Sequence, residues 1–255
     1  MAKKLRFPKR MLPPLILGSL ITSLSAEPLV IATEGTYPPF SYTDERGELT
    51  GFDVDIAWAL CERMQRDCEM VEAEWTQLLP LLESGKADFV VASMAKTAER
   101  DLRVDFTDYY YRSHTIFIGD PKRFTASTPS ALAGAVLTTG RGTIQADFLN
   151  KHYTNSEIRL TDDQVQALEL LTSGQADLVL SDTINLLDFL QQPESSQYDF
   201  IGAPLNSEEL LSKAHIAVRQ GDDDLREALN SALERLRLDG GYDRINRKYF
   251  PFSIY

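Results

Sequence analysis

Three observations predict an α/β chain whose two lobes share one cleft. The stretch Leu82-Glu-Ser-Gly-Lys-Ala-Asp-Phe-Val-Val-Ala-Ser93 recurs 89 residues later as Leu171-Thr-Ser-Gly-Gln-Ala-Asp-Leu-Val-Leu-Ser-Asp182. Each copy reads as the last turn of an apolar helix, a glycine where the helix stops (Gly85, Gly174), and a short buried strand. Each strand also delivers a polar residue at the same offset, Ser93 in one copy and Asp182 in the other. Ligands of open α/β sheets lie outside the carboxyl ends of the strands, so two such units imply polar groups facing a common cleft. The length of 255 residues fits one large domain or two lobes of about 100–120 residues.

The first 26 residues differ from the rest. Lys3, Lys4, Arg6, Lys9 and Arg10 precede an apolar run over Met11–Leu24, too short for a comfortable membrane span, and Leu24-Ser25-Ala26 offers a small-residue cleavage site. This is the layout of a secretory signal peptide covering residues 1–26, with an uncleaved anchor as the alternative. Its removal leaves 21 basic residues against 38 acidic ones, a net charge near −17. Such a surface disfavours nucleic acid and anionic membranes as partners.

Cys61 and Cys68 lie at the end of an amphipathic helix and the start of the next strand. An oxidising compartment favours a disulfide between them over two free thiols. With no nearby histidine or third cysteine, the pair makes poor metal geometry.

Leu29–Thr33 reads as a buried strand leading into Glu34-Gly-Thr-Tyr37-Pro-Pro-Phe40, where two prolines hold a rigid loop. Ser41–Leu49 reads as a hairpin turning at Arg46-Gly47. Asp53 is expected to cap a helix with Ile56, Leu60 and Met64 on its apolar face. A strand near Glu69–Ala73, Trp75, and a helix over Leu78, Leu79 and Leu82 lead into the first repeat. Thr97 can cap the turn that carries Arg100, and a strand begins at Thr115 after a crossing near Arg112–His114.

Thr128–Leu132 reads as a short capped helix ended by Gly134. A strand over Ala135–Thr138 runs into Thr139-Gly-Arg-Gly-Thr143-Ile-Gln145 and a helix bearing Phe148 and Leu149. A glycine-rich turn opening a helix offers free N–H groups to an anion, although many such turns serve only chain reversal. After the second repeat come a helix over Thr183–Leu190, a polar loop, and a strand over Ala214–Val218 expected to return to the first lobe. The chain closes with a helix capped near Asp222, bearing Leu225, Leu229, Leu233 and Leu236, and a last helical segment over Tyr242–Tyr249.

No catalytic constellation assembles. The three histidines (His114, His152, His215) are scattered, no Gly-x-Ser-x-Gly occurs, and nothing spaces like metal ligands, so neither cofactor nor metal is expected. The residues fit a zwitterion receptor instead. The fork of Arg100, close after the strand end at Ser93, can hold a carboxylate, and Asp182 at the matching end of the other lobe can take an ammonium.

Thr36-Tyr-Pro-Pro-Phe40, Gly51-Phe-Asp-Val-Asp55, Ser84-Gly-Lys-Ala-Asp88, Thr97-Ala-Glu-Arg100, Asp105-Phe-Thr107, Asp239-Gly-Gly-Tyr242 and Lys248-Tyr-Phe250 occur in this order along the chain. Together they resemble the bacterial extracellular solute-binding proteins, family 3, of the histidine, lysine/arginine/ornithine and opine-binding type. The resemblance implies a two-lobed type II periplasmic-binding-protein fold with two crossover segments. Residues 27–112 plus 214–255 would form lobe 1 and residues 113–213 lobe 2. It also implies hinge closure on a free amino acid in the periplasm, then docking to an inner-membrane ABC permease. A monomer is expected.

By the same resemblance Arg100 holds the α-carboxylate and Asp182 the α-ammonium. Ser93 and backbone groups around Met94 and Ala95 make strand-end contacts, and Thr143, Ile144 and Gln145 form the anion-binding turn. Tyr37 and Trp75 sandwich the ligand side chain. Ala95 and Ile144 depart from the Ser/Asp and Thr common at those positions. Glu34 stands where basic amino-acid binders carry an acidic residue toward the ligand's far end, so a cationic side chain is expected; Arg141, if it points inward, argues for a neutral or acidic one. The rival readings are an enzyme resembling cyclohexadienyl dehydratases, with Glu34 or Glu99 as general acid, and a soluble sensor input for a membrane receptor.

Overall fold

The structure, a computed structural model, describes residues 27–211 and 213–255; the expected signal peptide lies outside them. The first half of the chain runs β1 (Leu29–Thr33), β2 (Thr36–Tyr37), β3 (Ser41–Thr43), β4 (Leu49–Thr50), α1 (Phe52–Met64), β5 (Cys68–Glu72), α2 (Leu78–Glu83), β6 (Phe89–Ala95) and β7 (Val104–Arg112). It continues with β8 (Thr115–Gly119), β9 (Val136–Gly140), α3 (Ile144–His152), β10 (Glu157–Thr161), α4 (Gln164–Thr172), β11 (Leu178–Asp182), α5 (Thr183–Leu190) and β12 (Asp199–Leu205). The last elements are β13 (Lys213–Arg219), α6 (Asp223–Leu238) and α7 (Gly241–Tyr249).

Two five-stranded sheets carry the fold, ordered β5-β1-β6-β13-β7 and β10-β9-β11-β8-β12. Their patterns match. β1 pairs in parallel with β5 and β6 as β9 does with β10 and β11, and an antiparallel strand follows on the same side in each. β13 joins the first sheet from the far end of the chain, beginning at Lys213, one residue before the expected boundary. Each sheet is packed on both faces. Phe52, Ile56, Leu60, Leu229 and Leu233 cover one side of the first and Leu78, Leu79 and Leu82 the other. Leu149 and Tyr153 cover one side of the second, and Leu168, Leu171 and Leu186 the other.

The sequence repeat has a physical basis. Gly85 and Gly174 adopt φ of 71° and 73°, and their N–H groups return to Leu82 and Leu171 at 3.0 and 3.1 Å. Lys86 and Gln175 donate to Leu81 and Leu170, which completes the same helix-ending motif in both copies. The aspartate three residues beyond each glycine then stitches two strands together. Asp88 accepts from the Val30 N–H and Asp177 from the Val136 N–H, both at 2.8 Å.

Three local expectations need correction. Residues 128–132 form turns rather than a helix, although Thr128 Oγ1 does accept from the Ala131 N–H at 3.3 Å. Asp53 is not a cap: Gly51 holds that position, and Asp53 lies inside the first turn with no solvent exposure. Thr36–Tyr37 forms a two-residue strand paired to Ser41–Tyr42, because the prolines begin only after it. The disulfide between Cys61 and Cys68 is present and ties the end of α1 to the start of β5.

Candidate functional site

The carboxyl ends of β1, β6, β9, β10 and β11 converge on one cleft of about 790 Å³, its open mouth included. Of the sequence-predicted residues, Glu34, Tyr37, Trp75, Ser93, Ala95, Arg100, Thr143, Ile144, Gln145 and Asp182 line it. Met94 does not. Along a strand, side chains alternate between faces, and Met94 points into the core with Leu78 and Val104.

Arg100 opens a single helical turn after β6, where Thr97 Oγ1 accepts its N–H at 3.1 Å. Its guanidinium donates from Nη1 to the Ala95 carbonyl at 2.8 Å and from Nη2 to the Gly142 carbonyl at 3.0 Å, bridging the two sheets. The Trp75 ring lies 5.2 Å from the guanidinium carbon, and Trp75 Nε1 donates to the same Gly142 carbonyl at 3.1 Å. Burial lowers Arg100 to about 10, so it remains a cation at neutral pH. Among the described residues no acidic side chain pairs with it.

Asp182 ends β11 and caps α5, accepting from the Ile184 N–H at 2.8 Å and from Ser113 Oγ at 2.7 Å. Burial raises its carboxyl to about 6, while these donors pull it down. Glu34 follows β1 and is 6% exposed. Burial, with Asp53 and Asp163 nearby, raises it to about 8, and among the described residues it takes part in no side-chain hydrogen bond or ion pair. A buried carboxyl without a partner is costly to ionise, and a cation delivered beside it removes that cost.

Tyr37 stacks on Phe40, ring centroids 5.6 Å apart, and Phe40 stacks in turn on Tyr111 at 4.7 Å, so the tyrosine wall is held from behind. Thr143 caps α3, its Oγ1 accepting from Ala146 N–H at 3.1 Å and donating to the Gly140 carbonyl at 2.8 Å. The N–H groups of the helix's first turn have no carbonyl within the helix to meet, and they border the cleft. Arg141 lies at the rim, where Nε meets Asp162 at 2.8 Å, so its charge is already paired.

Sequence reasoning missed Ser113, Thr115, Asp163, Gln164 and Ser181, all on the cleft wall. Asp163 and Gln164 were within reach of the strand-end rule, but only through β10, whose central Arg159 hides its pattern. Gln164 is 6% exposed and its side-chain nitrogen has no hydrogen-bond partner.

Residues 29–252 match the bacterial extracellular solute-binding proteins, family 3. The L-arginine-binding protein of Pseudomonas aeruginosa is 35% identical over 241 residues, 93% of each chain. The histidine-binding periplasmic protein of Salmonella typhimurium is 33% identical over 88% of each chain. A solved ancestral arginine-binding protein bound to arginine superposes with a TM-score of 0.82 at 30% identity, covering 89% of this chain and 99% of the other. A likeness this complete in sequence and in two-lobed architecture leaves one family assignment: the chain belongs to the bacterial extracellular solute-binding proteins, family 3.

Proposed function

We propose that the protein captures a basic amino acid, arginine foremost, between its two lobes in the periplasm and passes it to an inner-membrane ABC permease. The observation that carries this reading is the charge pattern of the cleft. Arg100 is a buried cation with no carboxylate partner among the described residues, and the buried Glu34 and half-buried Asp182 are two carboxyls at different strand ends, both raised by desolvation. A basic amino acid carries the complementary set, one carboxylate and two cations. On this reading Arg100 and the first turn of α3 take the α-carboxylate, Asp182 and Ser93 the α-ammonium, and Glu34 the side-chain cation. Tyr37 and Trp75 flank its aliphatic part. The names of the arginine- and histidine-binding relatives support the same class.

The lobes in this reading are the two sheets with their helices, residues 27–112 and 214–255 against 113–213, closing about the crossings at Arg112–His114 and near Lys213. The protein acts as a monomer that makes and breaks no bonds. The relatives above are named as binding proteins rather than dehydratases.

Protein unfolded and refolded to strip any bound ligand, then titrated calorimetrically with an amino-acid panel, tests the reading. Arginine, ornithine or lysine should bind tightest. Binding confined to acidic or apolar members would overturn it.

A further inference from the structure

We infer that Asp53, which does not line the cleft, is a positioning residue that holds the end of β6 in the one backbone shape able to aim Arg100. The inference rests on the reading of the cleft as an amino-acid site.

The end of β6 is irregular. Val90 pairs with Ala217 and Met94 with His215, so Val91, Ala92 and Ser93 together stand opposite Ile216. The excess is absorbed in part at Ser93, which adopts φ of 53°, a left-handed conformation that disfavours a residue with a β-carbon. The Ser93 N–H donates not to a backbone carbonyl of a neighbouring strand but to the side-chain hydroxyl of Tyr110 on β7 at 2.9 Å. That hydroxyl donates to Asp53 Oδ1 at 2.7 Å, and Ser93 Oγ donates to Asp53 Oδ2 at 2.8 Å. The three residues therefore form a closed ring, with Asp53 and Tyr110 without solvent exposure. Two residues further on, the Ala95 carbonyl accepts from Arg100 Nη1 at 2.8 Å.

The ring explains an otherwise expensive arrangement. A buried carboxylate is retained only where it makes hydrogen bonds, and strained backbone persists only where its surroundings over-determine it. Here one carboxylate accepts from the Tyr110 hydroxyl that holds the Ser93 N–H and from the hydroxyl of Ser93 itself, so it fixes that residue through both its backbone and its side chain. Loosening the grip would let Ser93 relax to an ordinary extended conformation, carry the Ala95 carbonyl with it, and release Arg100 from its aim.

Glycine adopts positive φ without penalty, so Ser93→Gly removes the need for the grip. The test compares Asp53→Asn, Ser93→Gly and the double variant, with L-arginine affinity by calorimetry and backbone carbonyl, Cα and Cβ chemical shifts at position 93. Asp53→Asn should weaken arginine binding by ~10-fold or more in the parent chain and by less than ~2-fold in the Ser93→Gly background. In Asp53→Asn the Ser93 shifts should leave their left-handed values. An equal loss in both backgrounds, or left-handed shifts retained at Ser93 without the carboxylate, would overturn the inference. If Asp53→Asn does not fold, Tyr110→Phe, which deletes only the hydroxyl, replaces it in the same comparison. Should the parent chain bind no amino acid, the functional reading fails, while the Ser93 shifts still decide whether Asp53 holds the strand end.

Discussion

Arg100, on the turn after β6 of the first sheet, donates through Nη2 to the carbonyl oxygen of Gly142, on the turn after β9 of the second, at 3.0 Å. Trp75 Nε1 reaches the same oxygen at 3.1 Å, so two side chains of one half clasp a single atom of the other. Gly142 holds that oxygen at φ of 69°, a conformation glycine adopts readily. Asn185 adds a second clasp by donating Nδ2 to the Pro38 carbonyl at 2.6 Å. Together these bonds tie the two sides of the cleft to each other, so that, on the proposed reading, the guanidinium that would receive the ligand also helps latch the cleft.

Arg100→Ala should weaken binding of the cognate amino acid by about 2–5 kcal/mol, because the ligand carboxylate would be buried without its charged partner. Arg100→Lys should recover only part of the loss, since a point charge cannot make the forked contact. Calorimetric titration measures both, and unchanged affinity in Arg100→Ala would remove Arg100 from the site.

Glu34→Gln keeps shape and removes the charge. Basic ligands should bind ~10-fold or more weakly, because the charge-assisted bond to the far cation is lost. The ligand-free variant should be more stable than its parent at pH 8, since the parent's buried carboxyl is then being forced to ionise. Affinity and melting temperature should thus move in opposite directions.

The pH dependence of the ligand-free protein has a definite sign. Glu34 takes up protons below about 8 in the folded state but only near 4.5 in the unfolded chain. Asp53 and Asp182 behave alike, at about 7 and about 6 against 3.8. Between these limits the folded state binds more protons, so stability falls as pH rises from about 4 to 8. The carboxylates held low by partners, Asp44, Glu83, Glu209 and Asp239, act in the opposite sense but only in more acidic solution, while His215, held below its usual range chiefly by burial, opposes the three raised carboxyls within the window as a single group. Scanning calorimetry should show melting temperature declining from pH 5 to 8, and saturating arginine should flatten the slope by re-ionising the carboxyls. Binding at pH 7 should release protons, visible as a dependence of the apparent enthalpy on buffer. A melting temperature that climbs over that range would contradict the assignment.

Reduction of the Cys61–Cys68 disulfide should cost about 2–3 kcal/mol from the freed seven-residue separation, lowering the melting temperature by roughly 5–10 °C. The bond sits between α1 and β5, away from the cleft wall, so arginine affinity should stay within about twofold of the oxidised protein's.

Much of this architecture was written in local patterns. The repeated Ser-Gly-x-Ala-Asp carries its own reasons, since glycine satisfies a left-handed helix end and aspartate stitches the neighbouring strand. Ser93 and Asp182 therefore fell near strand ends that periodicity alone could find, with Arg100 a few residues after the first, and all three line the cleft. The edge strands β10 and β12 were less legible. They bury only part of their length, and their alternation is broken by Arg159 in one and by Gly202, Ala203 and Pro204 in the other.

What composition and spacing determined by themselves was the class of object: two α/β units presenting a cation and an acid, acidic overall, with two cysteines placed so that a helix end and the next strand can be joined. Those features arise from interactions within a few turns of chain, which a one-dimensional pattern records. Only the tertiary structure decided that Asp53, spaced like a helix cap, is instead buried against Ser93 and Tyr110, 40 and 57 residues away. It also decided that Met94 faces the core, that Arg141 is paired with Asp162, and that Glu34 is left without a partner among the described residues. The reason is that burial and pairing across the cleft depend on distances between segments far apart in sequence, and no local periodicity encodes them.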